Sequence, residues 1–426
     1  MTRRMDGAYR PGTDAVHRPK VAIIGGGPAG LSAAKVLGER YGGDILLIER
    51  ESALGGIPRH SDHPGYGIRD RKQGISGPSY ARKLSAEARE AGVEVWLNAQ
   101  VTGWEGPRTL QVTSPRGRVL VEAEVILLAT GARERPRTAR MIWGDRPGGV
   151  YTTGQLQNAV HLYHQDIGSN AVVVGAELVS WSAVMTLREA GCRTSALISR
   201  YPQGEAYKLF TVLGSLLFRT KVVTNSRVVA IHGRPRVESI EIEDVNTGRR
   251  STIACDTVIF TGDWIPDYEL AWAAGLERDG QTGAPVVDNT LMTSQEGVFS
   301  VGNLNHPVET ADVVAIEGQF VGRQIIAYLE SGVAEGPGLQ LEAGEGIDWL
   351  SPQVWRPGGP QPPRKRIVSW VDALVKRPVV EARQDGRIVG SMRLVWPAAP
   401  GRVFRIPTNL LRDVDPSGGK VTISVR

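Results

Sequence analysis

Cysteine is almost absent from this chain: two occur in 426 residues, Cys192 and Cys255. That count allows one structural disulfide at most, and two thiols in a long chain of intracellular type read simply as thiols. Long apolar runs are missing too. No stretch reaches the roughly 18 uncharged apolar residues that a membrane span requires. Residues 1–19 are polar, charged and broken by proline and glycine, with no apolar centre. No signal peptide is therefore expected, and the expected compartment is the cytoplasm. Neither a metal centre nor a nucleic-acid partner is expected.

Glycine, by contrast, is plentiful at 51 residues, which suits a backbone that must turn tightly beside phosphates. The 41% apolar and 22% charged content is that of a soluble globular protein. The length allows two or three domains. The net charge of +5 is unevenly spread, because residues 364–426 hold 13 Lys/Arg against 5 Asp/Glu, a net +8. Two readings of that segment stand: a solvated basic appendage, or a surface that docks on an acidic partner.

Hydrophobic patterning predicts a strand at 20–24, a turn at 25–30, a helix at 31–40 and a second strand at 44–49. A helix at 79–91 follows, then a β-meander over 94–122 and a buried strand at 124–130. A second such unit starts near residue 170, with a strand at 171–174, a helix at 178–189 and a strand at 193–199. Strands at 221–225, 227–231, 238–244, 250–254 and 257–261 complete it. The chain then returns through 297–302 to a helix at about 312–329 with an apolar stripe that includes Val313, Phe320, Val321 and Ile325. The expected fold class is α/β, with two Rossmann-like dinucleotide-binding domains, the second inserted in the first, and a small β-rich C-terminal appendage. The expected boundaries are an arm at 1–19, a first domain at 20–150 and 264–330, a second at 151–263, a Gly/Pro-rich linker at 331–363 and a basic β-rich domain at 364–426. Within the last, Asp385-Gly386 reads as a hairpin turn.

Gly25-Gly26-Gly27-Pro28-Ala29-Gly30 lies between the first strand and the first helix. Gly25 permits the tight turn, Gly27 lets the backbone approach a pyrophosphate, and Gly30 allows close packing of helix on strand. The helix N-terminus presents free N–H groups to phosphates. Glu49 ends the next strand 19 residues after Gly30, where a carboxylate can accept hydrogen bonds from ribose hydroxyls.

With these features the N-terminal 330 residues resemble the pyridine nucleotide–disulfide oxidoreductase superfamily, in which this fingerprint binds FAD. Leu128-Ala129-Thr130-Gly131 is similar to the family's strand end beside the cofactor. Phe260-Thr261-Gly262-Asp263 is similar to its second copy, and Gly297-Val298-Phe299-Ser300-Val301-Gly302 to the late FAD motif. The resemblance implies further cofactor contacts from Arg50, Gly56, Arg59, Val101, Gly302, Thr310 and Ala311. It also implies a contact from Asn303, which stands where the family usually has Asp and can still hydrogen-bond a hydroxyl. The helix beginning near Asp312 would aim its N-terminus at the flavin pyrimidine and favour the charge of reduced flavin.

The family's disulfide reductases carry a redox cysteine pair shortly after a Gly-Gly turn. Setting Gly55-Gly56 on that turn puts Pro58 and His63 where the cysteines would fall, so disulfide reduction is not expected. The segment holds Arg59, His60 and His63 instead, which are candidates for acid–base or substrate-binding roles beside a flavin. His306 and Glu309 form a second candidate cluster. A hydrogen-bonded loop packed on FAD, and a helix cap, are the structural alternatives for the two clusters.

At the second fingerprint position Gly175 is kept, but Glu177 replaces the second glycine and Ser180 the third. A glutamate there would block and repel a pyrophosphate, so NAD(P) is not expected. Within the superfamily this combination is similar to FAD subunits of multi-subunit amine, opine or amino-acid dehydrogenases. That resemblance implies an oxidoreductase subunit that oxidises a small-molecule substrate and passes electrons to a second flavoprotein or an iron–sulfur protein. A self-sufficient NAD(P)H-dependent flavin reductase, and a structural subunit with non-catalytic FAD, stand as alternatives.

Overall fold

The computed structural model describes residues 15–115, 117–333 and 336–426. The first layer grows from two wholly buried apolar runs, β1 (Val21–Ile24) and β2 (Ile45–Ile48). Strands buried on both faces suit a parallel sheet covered on each side. Between them runs α1 (Pro28–Tyr41), with proline in its first turn and Gly42 ending it at φ 57°. Next come α2 (Gly77–Glu90), β3 (Glu94–Trp96) and β4 (Val125–Leu128). The antiparallel strands Gln100–Gly106, Thr109–Ser114 and Gly117–Glu122 lie between the last two.

The second layer repeats this plan. It contains β5 (Val150–Thr152), α3 (Thr153–Gln157), β6 (Asn170–Val174), α4 (Leu178–Glu189) and β7 (Arg193–Ile198). After these come α5 (Lys208–Phe218), β8 (Lys221–Val223) and β9 (Thr257–Phe260). Its parallel sheet runs in the order β5-β9-β6-β7-β8. The chain then returns as β10 (Val298–Ser300), which pairs with β4 to give the first sheet the order β10-β4-β1-β2-β3. The two crossings between layers, Ala132–Glu134 and Trp264–Pro266, pair antiparallel with each other.

The long α6 (Ala311–Ser331) packs on α1. Gly318 and Gly322 make that approach possible. A Cβ on Gly318 would collide with the Ala29 carbonyl, and one on Gly322 would stand 3.0 Å from Val36. Among the described residues no helix is long and apolar enough to cross a membrane.

The C-terminal unit has its own core, drawn entirely from residues 339–425. It contains β11 (Leu339–Ala343), β12 (Trp349–Ser351), β13 (Arg366–Trp370), β14 (Val379–Gln384), β15 (Arg387–Arg393), β16 (Phe404–Pro407) and β17 (Val421–Val425). Asp385 and Gly386, at φ 48° and 78°, turn the β14–β15 hairpin. The segment 331–363, read from its composition as a linker, supplies β11, β12 and the buried side chains Leu339, Leu341, Leu350 and Trp355. Part of its glycine content reflects close packing. A Cβ on Gly338 would lie 2.6 Å from Val354, and one on Gly346 would lie 2.6 Å from the Val425 carbonyl. The unit docks on the first layer through Arg356, whose Nε donates to Asp288 at 2.7 Å, and through Asn289, which donates to the Pro360 carbonyl at 2.8 Å.

Candidate functional site

The glycine-rich turn has the three-way division expected of it. Gly25, at φ 107°, and Gly30 are packed so tightly that a Cβ on either would collide with backbone, the Ala129 carbonyl and the Gly25 carbonyl respectively. Gly27 is different: nothing lies within 4 Å of the place its Cβ would take. It caps α1 with no side-chain bond to the helix, which leaves the first-turn N–H groups free. Gly56, at φ 58°, closes on Gly27, and Gly302, at φ 75°, closes on Ala29 and Val314. The turn, the loop after Gly56 and the late motif therefore converge on one open cradle lined by backbone donors. That cradle fits a dinucleotide pyrophosphate.

Glu49 is buried at the edge of this cradle. Its carboxylate accepts from the Gly26 N–H and the Glu51 N–H, both at 2.8 Å. It is thus fixed in orientation, with lone pairs left for ribose hydroxyls. Ala129, Thr130 and Gly131 follow β4, and the Thr130 hydroxyl donates to the Asp267 carbonyl at 2.9 Å. Arg50 approaches the Asp267 carboxylate at 3.9 Å. Val101 is buried in the core between β2, β4 and the antiparallel strands. Thr310 caps α6 without bonding its backbone, and its hydroxyl donates to Asp312 at 2.6 Å. Ala311 opens the helix, and the Thr310 side chain makes no bond to its first-turn N–H groups.

Asn303 holds its own loop. Its amide accepts from the Glu309 N–H at 2.8 Å and donates to the Glu309 carbonyl at 3.2 Å. The Glu309 carboxylate accepts from the Thr310 N–H at 3.2 Å. Arg405 of β16 grips it in a fork, at 2.8 and 2.6 Å. His306 is buried against Glu317, Nε2 to Oε2 at 2.9 Å. Burial opposes its charge, but the Glu317 carboxylate outweighs that and lifts His306 above the usual imidazole range.

The loop after Gly56 packs against the second layer. His63 is engaged on both ring nitrogens, with Nδ1 2.9 Å from the Pro64 carbonyl and Nε2 2.8 Å from the Ser182 hydroxyl. Gln157 of α3 donates to Ser182 at 2.8 Å and to Ser61 at 3.1 Å, so the three residues stitch loop to layer. No sequence signal marked Gln157 or Ser182, which are ordinary polar residues within helices. Arg59 donates to the Ala53 carbonyl at 3.2 Å. His60 is buried, its Nδ1 has no partner among the described residues, and burial with the neighbouring Arg59 charge pushes it down to about 4. It is a neutral base at pH 7.

At the second fingerprint Glu177 precedes α4 and folds back over the turn. A Cβ on Gly175 would lie 2.6 Å from Glu177 Oε2, and one on Gly262 would lie 3.1 Å from Oε1. Ser180 and Thr261 share a hydroxyl bond of 2.7 Å beneath it. Glu205 joins the cluster, pushed up to about 8 by burial and by the Glu177 carboxylate. Over both lies a loop of the C-terminal unit. Gly401 is packed against the Glu205 side chain, and Arg402 stacks on the Tyr207 ring at 4.9 Å. The two cysteines are free and buried in different cores, pushed up by burial to about 11 for Cys192 and about 12 for Cys255.

Comparison with known proteins matches residues 19–318 to the pyridine nucleotide-disulphide oxidoreductase family. A ferredoxin–NADP reductase of Ignicoccus hospitalis is 25% identical over 73% of this chain and 98% of its own length. An opine oxidase subunit of Rhizobium meliloti is 25% identical over 66% of this chain and 58% of its own. Among solved structures, thioredoxin reductase of T. acidophilum superposes with a TM-score of 0.61 at 18% identity, over 74% of this chain and 99% of that one.

Proposed function

Because the chain belongs to the pyridine nucleotide-disulphide oxidoreductase family, we propose that it is the FAD-binding subunit of a multi-subunit dehydrogenase. Its substrate would be a small amine, amino acid, opine or hydroxy compound, with electrons leaving to a partner. The family binds FAD, which when bound supplies a two-electron acceptor, and the open Gly27 cradle is shaped for it. The observation that carries the finer reading is the state of the second fingerprint. Glu177 fills the turn where a pyrophosphate would approach the backbone, and the loop at Gly401 lies over it. NAD(P)H then has no entry. Two buried, unpaired thiols with raised pKa values offer no thiolate pair for disulfide exchange, which argues against disulfide reduction. Similarity to an opine oxidase subunit supports the same class.

Of the four candidate acid–base groups, Glu309 is held by Arg405, His306 by Glu317 and His63 on both nitrogens. Among the described residues His60 and His306 each keep an unpartnered Nδ1, but His60 has no carboxylate partner and is neutral at working pH, whereas Glu317 lifts His306 above the usual imidazole range. It is assigned the proton-accepting role when substrate is oxidised. The test is purification of the native protein from its own cells, with flavin content, subunit composition and dye-linked dehydrogenase activity measured together. A flavin-loaded hetero-complex in which His60→Gln loses turnover but keeps FAD would support the reading. A single-subunit enzyme whose flavin is bleached by NADPH at a catalytic rate would replace it with the reductase reading that the ferredoxin–NADP reductase relative favours.

A further inference from the structure

α5 (Lys208–Phe218) is apolar nearly all round. Its inner side rests on Trp181: a Cβ on Gly214 would come within 2.7 Å of that ring, and Phe210 and Phe218 flank it at centroid distances of 6.2 and 6.4 Å. The outer side is bare. Leu209, Val212, Leu213, Leu216 and Leu217 are each more than half exposed, with Leu209 and Leu216 at 71% and 72%. Their spacing of i, i+3, i+4, i+7 and i+8 is that of one helix face. The C-terminal unit extends the patch. Arg402, stacked on Tyr207, donates to the Pro397 carbonyl at 3.0 Å. That sets Val395 and Trp396, 88% and 79% exposed, beside the start of the helix.

Seven such side chains at roughly 100 Å² each expose on the order of 700 Å², more than a soluble monomer ordinarily leaves open. That area approaches the ~800 Å² per partner of a stable interface. The charged residues in the two segments that carry it are all basic. No Asp or Glu lies between Glu205 and Glu238, nor between Asp385 and Asp413. Arg227 and Arg234 are paired with Glu243 and Asp145. Lys208, Arg219 and Lys221, at the ends of α5, pair with no carboxylate among the described residues. Two copies of α5 laid antiparallel would bring Lys208 of one against Arg219 of the other, so a second copy is a poor occupant.

We propose that the outer face of α5, with Val395 and Trp396, docks a different polypeptide whose apolar groove is rimmed by carboxylates. The helix supplies a row of anchors, and the basic ends set its orientation. The proposal rests on reading the chain as one component of a larger complex. It places the partner across the second layer and the C-terminal unit.

The test compares full-length protein with Leu213→Glu/Leu216→Glu, both expressed in the native cell. The partner isolated from the wild-type complex is then added back to each purified form. The expected result is a stoichiometric hetero-complex for wild type and at least a 100-fold weaker affinity for the variant, with equal FAD content and equal Tm. A hetero-complex that the variant retains at full affinity overturns the docking surface and leaves the multi-subunit reading standing. A wild-type protein with no second polypeptide sinks both. A homodimer split by the variant identifies a second copy as the occupant. Flotation of wild type but not variant with anionic phosphatidylglycerol vesicles assigns the face to a membrane surface. Either of these last outcomes also overturns the proposal.

Discussion

At the scale of single residues, the glycine turn makes a paired prediction. Gly27 has open space where a side chain would go, and Gly30 has the Gly25 carbonyl. Gly27→Val should fold with near wild-type Tm yet lose FAD, because the new side chain stands where the pyrophosphate must sit. Gly30→Val should lose stability outright, by about 1–3 kcal/mol or more from overpacking. Flavin absorbance and thermal melts of the two variants check this. Full FAD in Gly27→Val would remove the cradle assignment. The fingerprint was legible in the sequence because each glycine answers to a local backbone demand. The partners of His63, Glu309 and His306 were not, since the groups that engage them, Ser182, Arg405 and Glu317, lie on other elements.

His60 gives a pH prediction on the same scale. Its pKa falls from an unfolded value near 6.5 to about 4 in the folded protein. The unfolded state therefore binds more protons between those values. The stability tied to neutral His60 is complete above pH 6.5 and is lost as pH falls through that window toward 4. The loss is at most about 3 kcal/mol. His60→Gln should flatten this part of the stability-versus-pH curve, as measured by urea midpoints from pH 7 to 4. An unchanged slope would mean that His60 is solvated.

At the scale of elements, β16 is tied to the start of α6 by the Arg405–Glu309 fork, in which Glu309 is almost wholly buried. Arg405→Ala strands a buried carboxylate and should destabilise by about 3–5 kcal/mol. Adding Glu309→Gln should recover a large part of that, and a double-mutant cycle of unfolding free energies measures the coupling. Additive effects would show that the pair does not hold the unit in place. The hairpin at Asp385-Gly386 was legible because two positive φ angles demand those residues. α5 was not: without a polar face its sequence has no helical period to read. The strands within 331–363 were hidden by glycines that serve close packing as well as turning.

At the scale of the whole molecule, part of the basic C-terminal charge acts within the chain. Arg405 meets Glu309, and Arg402 covers Tyr207. One short stretch, 401–405, thus touches both nucleotide-binding layers. Deleting residues 364–426 would leave β11 and β12 without the strands that bury them, so a clean truncation ends near residue 333.

That truncation separates two obstacles to NAD(P)H. Glu177 occupies the turn, and the loop at Gly401 lies over Glu177 and Glu205. On the blocked-site reading each would suffice to keep a pyrophosphate out, the first by charge and bulk at the helix N-terminus and the second by covering the approach. Full-length protein and Glu177→Gly should therefore both show negligible flavin bleaching by NADH or NADPH. Truncation alone should do little as well, since the Glu177 carboxylate stays in the turn. Only Glu177→Gly in the truncated chain should bind NADPH measurably, as read by titration calorimetry and stopped-flow absorbance. Ser180 and the missing ribose acid after Ser199 would still keep that affinity weak. Bleaching of the full-length protein at a catalytic rate would refute the blocked-site reading. Binding restored by Glu177→Gly alone would mean that the loop lifts away and that the glutamate by itself is the barrier.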